Sequence, residues 1–530
     1  MKRGEIARHV TRGAFFLAVE KTAALLSGML YFALMLRWLG PTNYGMLTLA
    51  LAITGLASIS TGNFEVFLER YAAEYQAYGR FDLLRRAHAL ALGLKFGLGL
   101  LASVAVLALT PLLAAQFKMP ELTVLVPILT FMVATDSLFT TGRSLLFGMQ
   151  RYEWVSGLSL LFHIAKTVLV GLLWWSRQGL VSLAIGLSAL AVAQALLFSV
   201  VAWIVARREG RSAEPPAPAA AGEQTPLLRQ MFGYCMPLLG ARAAFLSGQN
   251  LGKVVLAKVL DATQLGYFTF AFQTIERFVE LVYTLPSSLL PSLTHLVARE
   301  ERERLGYVFE QAFRLVQVAA CVVAWGVFAF APELTLWVGS PLFLPSLGML
   351  HVLALVPLAR TAQQPLTMLF QAMRRPGLVL TLALVKLGVE LSCYFVIVPR
   401  MGGLGAAYAN LAGAVASYLL ALAFAALLLP EGASARSAAF VRAMLLTLPM
   451  LAIAYVLTQQ GHPAHISFLA RASLVLPAIV ALFALGLITR YDLEKLSALE
   501  LRAPMLRRVR DRVVGGADWL ARMFEPRRTA

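Results

Sequence analysis

Residues 411–429 read LAGAVASYLLALAFAALLL, a run with no charged residue and no polar face. A helix packed on the outside of a water-soluble protein keeps a polar face toward solvent. An uninterrupted apolar run of about 18 residues or more is instead long enough to cross a bilayer. Runs of this kind recur along the chain; 166–175, KTVLVGLLWW, is part of another. Composition agrees, with 59% hydrophobic and 14% charged residues among 530 and a mean hydropathy of +0.72. Soluble domains carry roughly a quarter charged residues. The chain therefore reads as an all-α polytopic membrane protein, and a soluble helical enzyme with an apolar core is disfavoured. The first apolar run is interrupted by Glu20 and Lys21 and lacks a cleavage site, so it reads as a retained helix and not a signal peptide. The three cysteines fall inside apolar runs without a CxxC pair, which supports neither a disulfide framework nor a metal site. No cofactor is expected.

Segmentation predicts fourteen spans, near 13–36, 45–68, 87–115, 122–147, 155–176, 180–206, 231–257, 265–292, 307–335, 343–371, 377–398, 403–429, 438–458 and 468–489. Lys and Arg are retained on the cytoplasmic side of a membrane. With the N-terminus inside, the cytoplasmic segments hold twenty of them, among them Arg85, Arg86, Arg207, Arg208, Arg374 and Arg375. The opposite side holds six: Arg37, Lys118, Arg177, Lys258, Arg400 and Arg471. The alternation is self-consistent and places both termini in the cytoplasm. It also accounts for the net charge of +18, so the expected partners are membrane lipids with anionic surfaces and not nucleic acid.

An internal repeat underlies the pattern. RWLGPTNYGMLTLA (37–50) matches KVLDATQLGYFTFA (258–271) at an offset of 258 − 37 = 221 residues, aligning Thr42 with Thr263 and Gly45 with Gly266. LFGMQR (146–151) matches LFQAMR (369–374) at 223, and 179–192 matches 403–416 at 224. Three ordered matches argue for two copies of a six-helix unit in the same orientation, related by an axis along the membrane normal. The expected organisation is an N-terminal lobe at 1–206 and a Pro/Ala-rich cytoplasmic linker at 207–230. A C-terminal lobe at 231–429, two more helices at 430–489 and a basic amphipathic cytoplasmic tail at 490–530 follow.

LGPTNYGMLTLA after the first helix, PSSLLPSLTHL (286–296), the run at 374–399 and VPRMGGLGAAYANLAGAVASYLL (398–420) resemble polysaccharide flippases. These belong to the multidrug/oligosaccharidyl-lipid/polysaccharide exporter superfamily. The resemblance covers helices one to twelve and implies a two-lobe alternating-access fold shared with multidrug exporters. It implies translocation of a polyprenyl-diphosphate-linked oligosaccharide from the cytoplasmic to the outer leaflet of a bacterial inner membrane. Coupling to a cation gradient, work beside polysaccharide-assembly proteins, and products such as O-antigen lipopolysaccharide belong to the same implication.

Charges inside spans cost about 2.5–3.5 kcal/mol on insertion scales and normally face a cavity or a partner. Helix seven carries Arg242, Gln249 and Lys253 on one face, and helix eight carries Glu276, Arg277 and Glu280. Glu20 and Lys21, Glu65, Asp136 with Arg143, Lys166, Arg360, and Lys386 with Glu390 complete the set. These predict a net cationic vestibule whose Arg and Lys donate to a diphosphate. By resemblance, helices one, seven and eight line the cleft, so Lys21, Arg242, Lys253 and Arg277 are the first head-group candidates. Arg143, Lys166 and Arg360 stand behind them. Glu20, Glu65, Asp136, Glu276 and Glu280 are the candidates for ion coupling. The competing reading makes several of them structural pairs; the i, i+4 spacing of Lys386 and Glu390 favours that for these two. Prolines 237, 286, 291, 357 and 365 are expected to kink helices seven, eight and ten.

Two other functions share some of these features. A multidrug extruder would have the same fold, but a pocket for cationic drugs calls for carboxylates in excess. A membrane polymerase or ligase calls for a sizeable outer loop with catalytic residues, and the outer loops here are short. No enzymatic activity is expected.

Overall fold

In a bilayer every backbone N–H and C=O must find its partner within the protein, which a helix does locally. The structure, a computed structural model, describes residues 3–212, 227–283, 289–429, 433–459 and 464–474, with isolated positions between 477 and 483; among these there is no strand. The expected tail at 490–530, residues 213–226 of the expected linker, Pro286 and much of the fourteenth span lie outside the described residues.

The helices are α1 (Arg3–Ala57), α2 (Glu65–Ala77), α3 (Phe81–Phe117), α4 (Leu122–Gly148), α5 (Tyr152–Trp175), α6 (Leu180–Ser212) and α7 (Leu227–Val259). They continue with α8 (Ala262–Tyr283), α9 (Leu289–Ala298), α10 (Arg302–Ala329), α11 (Ala331–Leu334), α12 (Leu347–Leu353), α13 (Val356–Arg360) and α14 (Gln363–Ala372). The last are α15 (Pro376–Leu428), α16 (Ala433–Gln459) and α17 (Ala464–Ser473). Among the described residues, eight segments are long and apolar enough to cross a membrane. Two of them, Glu20–Thr61 with 42 residues and Pro376–Leu428 with 53, are long enough to cross twice. Each is broken by a glycine in the left-handed region, Gly40 (φ 69) and Gly402 (φ 58), which a residue with a Cβ adopts only under strain. Outward-facing side chains such as Leu101, Phe131 and Leu427, 67%, 66% and 79% exposed, are what lipid tails accept and water does not.

Two expected spans differ in detail. The second, placed at 45–68, is interrupted by a 3-10 turn over Ser58–Thr61 and by Gly62 (φ 78), so that Glu65 opens a new helix. The tenth, placed at 343–371, is a 3-10 turn over Pro341–Ser346 followed by α12, α13 and α14. Pro357 and Pro365 stand near the starts of α13 and α14, where a missing N–H costs least.

The chain divides into two compact units. One comprises residues 1–270 with 336–345 and 394–403, and the other comprises 271–335, 346–393 and 404–530. The first has a core in which Phe64, Phe67 and Leu68 pack with Leu145, Leu146 and Phe198. In the second, Ala320, Cys321 and Ala324 gather around Leu358.

The repeat is visible in backbone geometry. Left-handed turn residues recur at Gly79 and Glu300, Lys118 and Ser340, Gln150 and Arg374, and Arg177 and Gly402. Their offsets are 300 − 79 = 221, 340 − 118 = 222, 374 − 150 = 224 and 402 − 177 = 225. Inside the first unit, repeat-related residues also touch. The Thr42 and Thr263 hydroxyls are hydrogen-bonded at 2.9 Å. A Cβ on Gly45 would stand 1.8 Å from the Ala262 carbonyl oxygen, and one on Gly266 would stand 2.0 Å from that of Pro41. The two repeated turns thus pack directly against each other within this unit. Close helix approach through small residues is the usual packing solution in lipid, where no hydrophobic force joins helices.

Candidate functional site

The break after Thr61 brings Glu65 into the first turn of α2, where the helix dipole favours a carboxylate. Glu65 is buried. Its Oε2 accepts a hydrogen bond from Lys95 Nζ at 2.7 Å, and its Oε1 accepts from Arg242 Nη1. The same Arg242 nitrogen donates to Asn63 Oδ1 at 2.6 Å, and Lys95 Nζ donates to Thr140 Oγ1 at 2.9 Å. Thr140 Oγ1 in turn donates to the Asp136 backbone carbonyl at 2.6 Å. Helices α3 and α7 thus converge on one carboxylate of α2, with α4 bonded to Lys95 through Thr140. Asp136 lies within electrostatic reach of Glu65, Lys95 and Arg242, and its own carboxylate has no hydrogen bond among the described residues. Lys95 is fully buried, whereas the Arg242 side chain keeps 28% of its surface exposed. Glu65 with its two cations carries a net single positive charge.

The vestibule reading named Glu65, Asp136 and Arg242 but not Lys95. The signal was available, because Lys95 is the one charge in the apolar stretch LALGLKFGLGLL (90–101). The rule that singled out the other intramembrane charges applies to it unchanged.

The remaining candidates fall into separate places. In the second unit Arg360 pairs with Glu276, both largely buried. Arg277 reaches Glu280 at 3.4 Å, with both side chains substantially exposed. Lys386 and Glu390 form their i, i+4 pair at 2.8 Å, and Asn410 Nδ2 donates to the same carboxylate at 2.9 Å. In the first unit Glu20 accepts from Ser156 Oγ at 3.3 Å, Lys21 is exposed, and Lys253 is half-buried and engaged with a neighbour. Arg143 and Lys166 are half-buried, without an ion pair among the described residues. Arg471, counted above with the outer-side cations, is buried: it donates to Glu333 at 2.6 Å and to the Ala329 carbonyl at 2.6 Å. That joins α17 to the α10–α11 corner.

A helical membrane protein of two repeated units, with ion pairs buried between its helices, has the architecture of a secondary transporter. Solved structures share the fold. The lipid II flippase MurJ in an inward closed conformation matches 89% of this chain and 98% of its own at 14% identity, with a TM-score of 0.62. An inward-facing multidrug resistance MATE family transporter of the MOP superfamily matches 78% of this chain and 95% of its own at 13% identity, with a TM-score of 0.61. An outward-facing structure of such a transporter matches with a TM-score of 0.53 at 12% identity over 79% and 95%. No curated protein sequence matches the chain. The family model for polysaccharide biosynthesis proteins matches residues 10–297, more than half of the chain. The chain belongs to the polysaccharide biosynthesis protein family.

Proposed function

We propose that the protein is a flippase that carries a polyprenyl-diphosphate-linked oligosaccharide from the cytoplasmic to the outer leaflet of the inner membrane. In this reading both termini are cytoplasmic, and the lobes at 1–206 and 231–429 alternate access to the head group. The observation that carries the proposal is Arg242, a guanidinium anchored on Glu65 and Asn63 yet partly open on its other side. Lys95 is sealed in and acts as the permanent counter-ion of Glu65. Arg242 is then the cation that can turn its remaining donors to a diphosphate, whose oxygens accept two parallel N–H hydrogen bonds from a guanidinium. Before substrate arrives, Glu65 keeps Arg242 from being an isolated intramembrane charge. When substrate leaves, the pair re-forms. A proton or metal cation binding at Glu65 or Asp136 weakens the hold on Arg242, which is a direct route from a cation gradient to head-group affinity. Glu276, already held by Arg360, the exposed Glu280 and the half-buried Glu20 are secondary candidates for that coupling. Lys21, Lys253, Arg277, Arg143, Lys166 and Arg360 extend the cationic surroundings in this scheme. A cationic-drug extruder is less well served, because Arg242 repels its cargo. Family membership and the fold shared with a lipid II flippase support the lipid-linked substrate.

The test is flipping of a short polyprenyl-diphosphate oligosaccharide in proteoliposomes under proton and sodium gradients. Arg242→Ala should reduce the rate by about 100-fold or more, since a charge-assisted contact is worth about 1.5–3 kcal/mol and the bidentate pair makes two. Arg242→Lys should retain an intermediate rate. A folded Arg242→Ala protein that flips at the wild-type rate would remove the basis of the proposal.

A further inference from the structure

A second site lies away from the Glu65 cluster, in the first unit, where α3 begins and α6 ends. Leu84, Arg85 and His88 of α3, Leu145 of α4, and Trp203 and Arg207 of α6 surround a cavity of about 330 Å³. At about 30 Å³ per water-sized group it holds roughly ten such groups, room for a phosphate and a glycerol. Its two guanidiniums are unneutralised: among the described residues neither Arg85 nor Arg207 forms an ion pair. The nearby carboxylate of Glu209 is already taken by Arg151 at 2.5 Å and by Gln76 Nε2 at 2.7 Å. Arg207 is held in place, its guanidinium carbon 5.0 Å from the centre of the Trp203 ring. Arg85 Nε donates to the Phe81 carbonyl at 3.4 Å, which fixes the base of its side chain.

The walls say where the ligand comes from. Both α3 and α6 are apolar enough to cross the membrane, and the cavity sits where their apolar runs give way to basic ends. Trp203 is 54% exposed on the flank of α6, the position an indole takes at a membrane–water interface. A cavity with leucines on one wall, two unpaired arginines on another and a tryptophan at its lip has the chemistry of a phospholipid head group with its first acyl carbons. Basic pockets between helices at the membrane surface bind anionic lipids through this combination.

We infer that the Arg85–Arg207 cavity is a binding site for one anionic phospholipid, whose phosphate lies between the two guanidiniums and whose chains run along the α3–α6 flank. The site is separate from the head-group path proposed above, and its test does not depend on transport.

The experiment is native mass spectrometry of the full-length protein in detergent, titrated with phosphatidylglycerol, with phosphatidylcholine of the same acyl chains, or with inorganic phosphate. Wild type should retain one phosphatidylglycerol in preference to phosphatidylcholine, and inorganic phosphate at equal concentration should not displace it. Arg85→Gln/Arg207→Gln should weaken that adduct by about 10- to 30-fold, and Arg85→Lys/Arg207→Lys should recover most of it. Arg374→Gln/Arg375→Gln, which removes as much charge elsewhere, should leave the adduct unchanged. Equal binding of phosphatidylcholine, equal loss in the Arg374/Arg375 variant, or displacement by inorganic phosphate would each overturn the inference. Should the double Gln variant fail to fold, Arg85→Gln or Arg207→Gln alone is expected to weaken the adduct several-fold, and an unchanged adduct in both would overturn it as well.

Discussion

The two halves of the repeat keep the same positions for polar groups and fill them differently. Lys95 and Gln317, 317 − 95 = 222 residues apart, are both fully buried. Lys166 corresponds to Glu390 at 390 − 166 = 224, and Lys21 to Arg242 at 242 − 21 = 221. The first unit gathers charges around Glu65, with one cation sealed in and one half-open. The second unit settles its charges as separate pairs, Glu276 with Arg360 and Lys386 with Glu390. Where the first half has an ammonium making two contacts, Gln317 Nε2 has no hydrogen bond among the described residues. Duplication has preserved the turns and the polar positions, while the charges have diverged. In the proposed flippase, alternating access draws on the first for its symmetry and an anionic head group on the second.

Substitutions where the two repeated turns touch should break the comparison most severely. Gly45→Ala places a Cβ 1.8 Å from a backbone oxygen that cannot step aside. It should destabilise the folded protein by about 3 kcal/mol or more, read as loss of the thermal transition in detergent. Gly93→Ala, where nothing lies within 4 Å, should be neutral or slightly stabilising, because alanine is the better helix former.

Next in size is the contrast between Lys95 and Gln317. Lys95→Met leaves Glu65 paired with Arg242 alone among the described residues and should cost about 1.5–3 kcal/mol. Gln317→Leu removes an amide that is only half satisfied and should change stability little, or raise it. Equal melting shifts for the two would show that the halves treat their buried polar groups alike. The smallest effect belongs to Arg277→Ala. Its pair with Glu280 is long and exposed, so stability should move by less than about 0.5 kcal/mol. Any large loss of flipping in that variant would then report substrate contact and not folding.

Much of this was legible in the residues. Apolar length announces membrane helices. The Gly-Pro turn and its partner 221 residues on mark the repeat. Pro357 and Pro365 foretold the segmented tenth span, because proline removes a donor wherever it sits. Gly62 gave less warning: a single glycine in an apolar run is tolerated in a helix, and only packing decides whether the chain turns there. Glu65 was visible as an intramembrane acid, yet its role was not, since Lys95 and Arg242 lie 30 and 177 residues from it. Arg471 misled for a related reason: an arginine near a helix end reads as a loop cation until the Glu333 carboxylate is found beside it.

What the sequence determined by itself is what local physics can enforce: helices from apolar length, turns from glycine and proline, and duplication from self-similarity. Tertiary structure alone decided which charges neutralise which, and so which cation stays open. Electrostatic attraction depends on separation in space, and in a bilayer interior a 3 Å contact outweighs any number of residues between its partners along the chain.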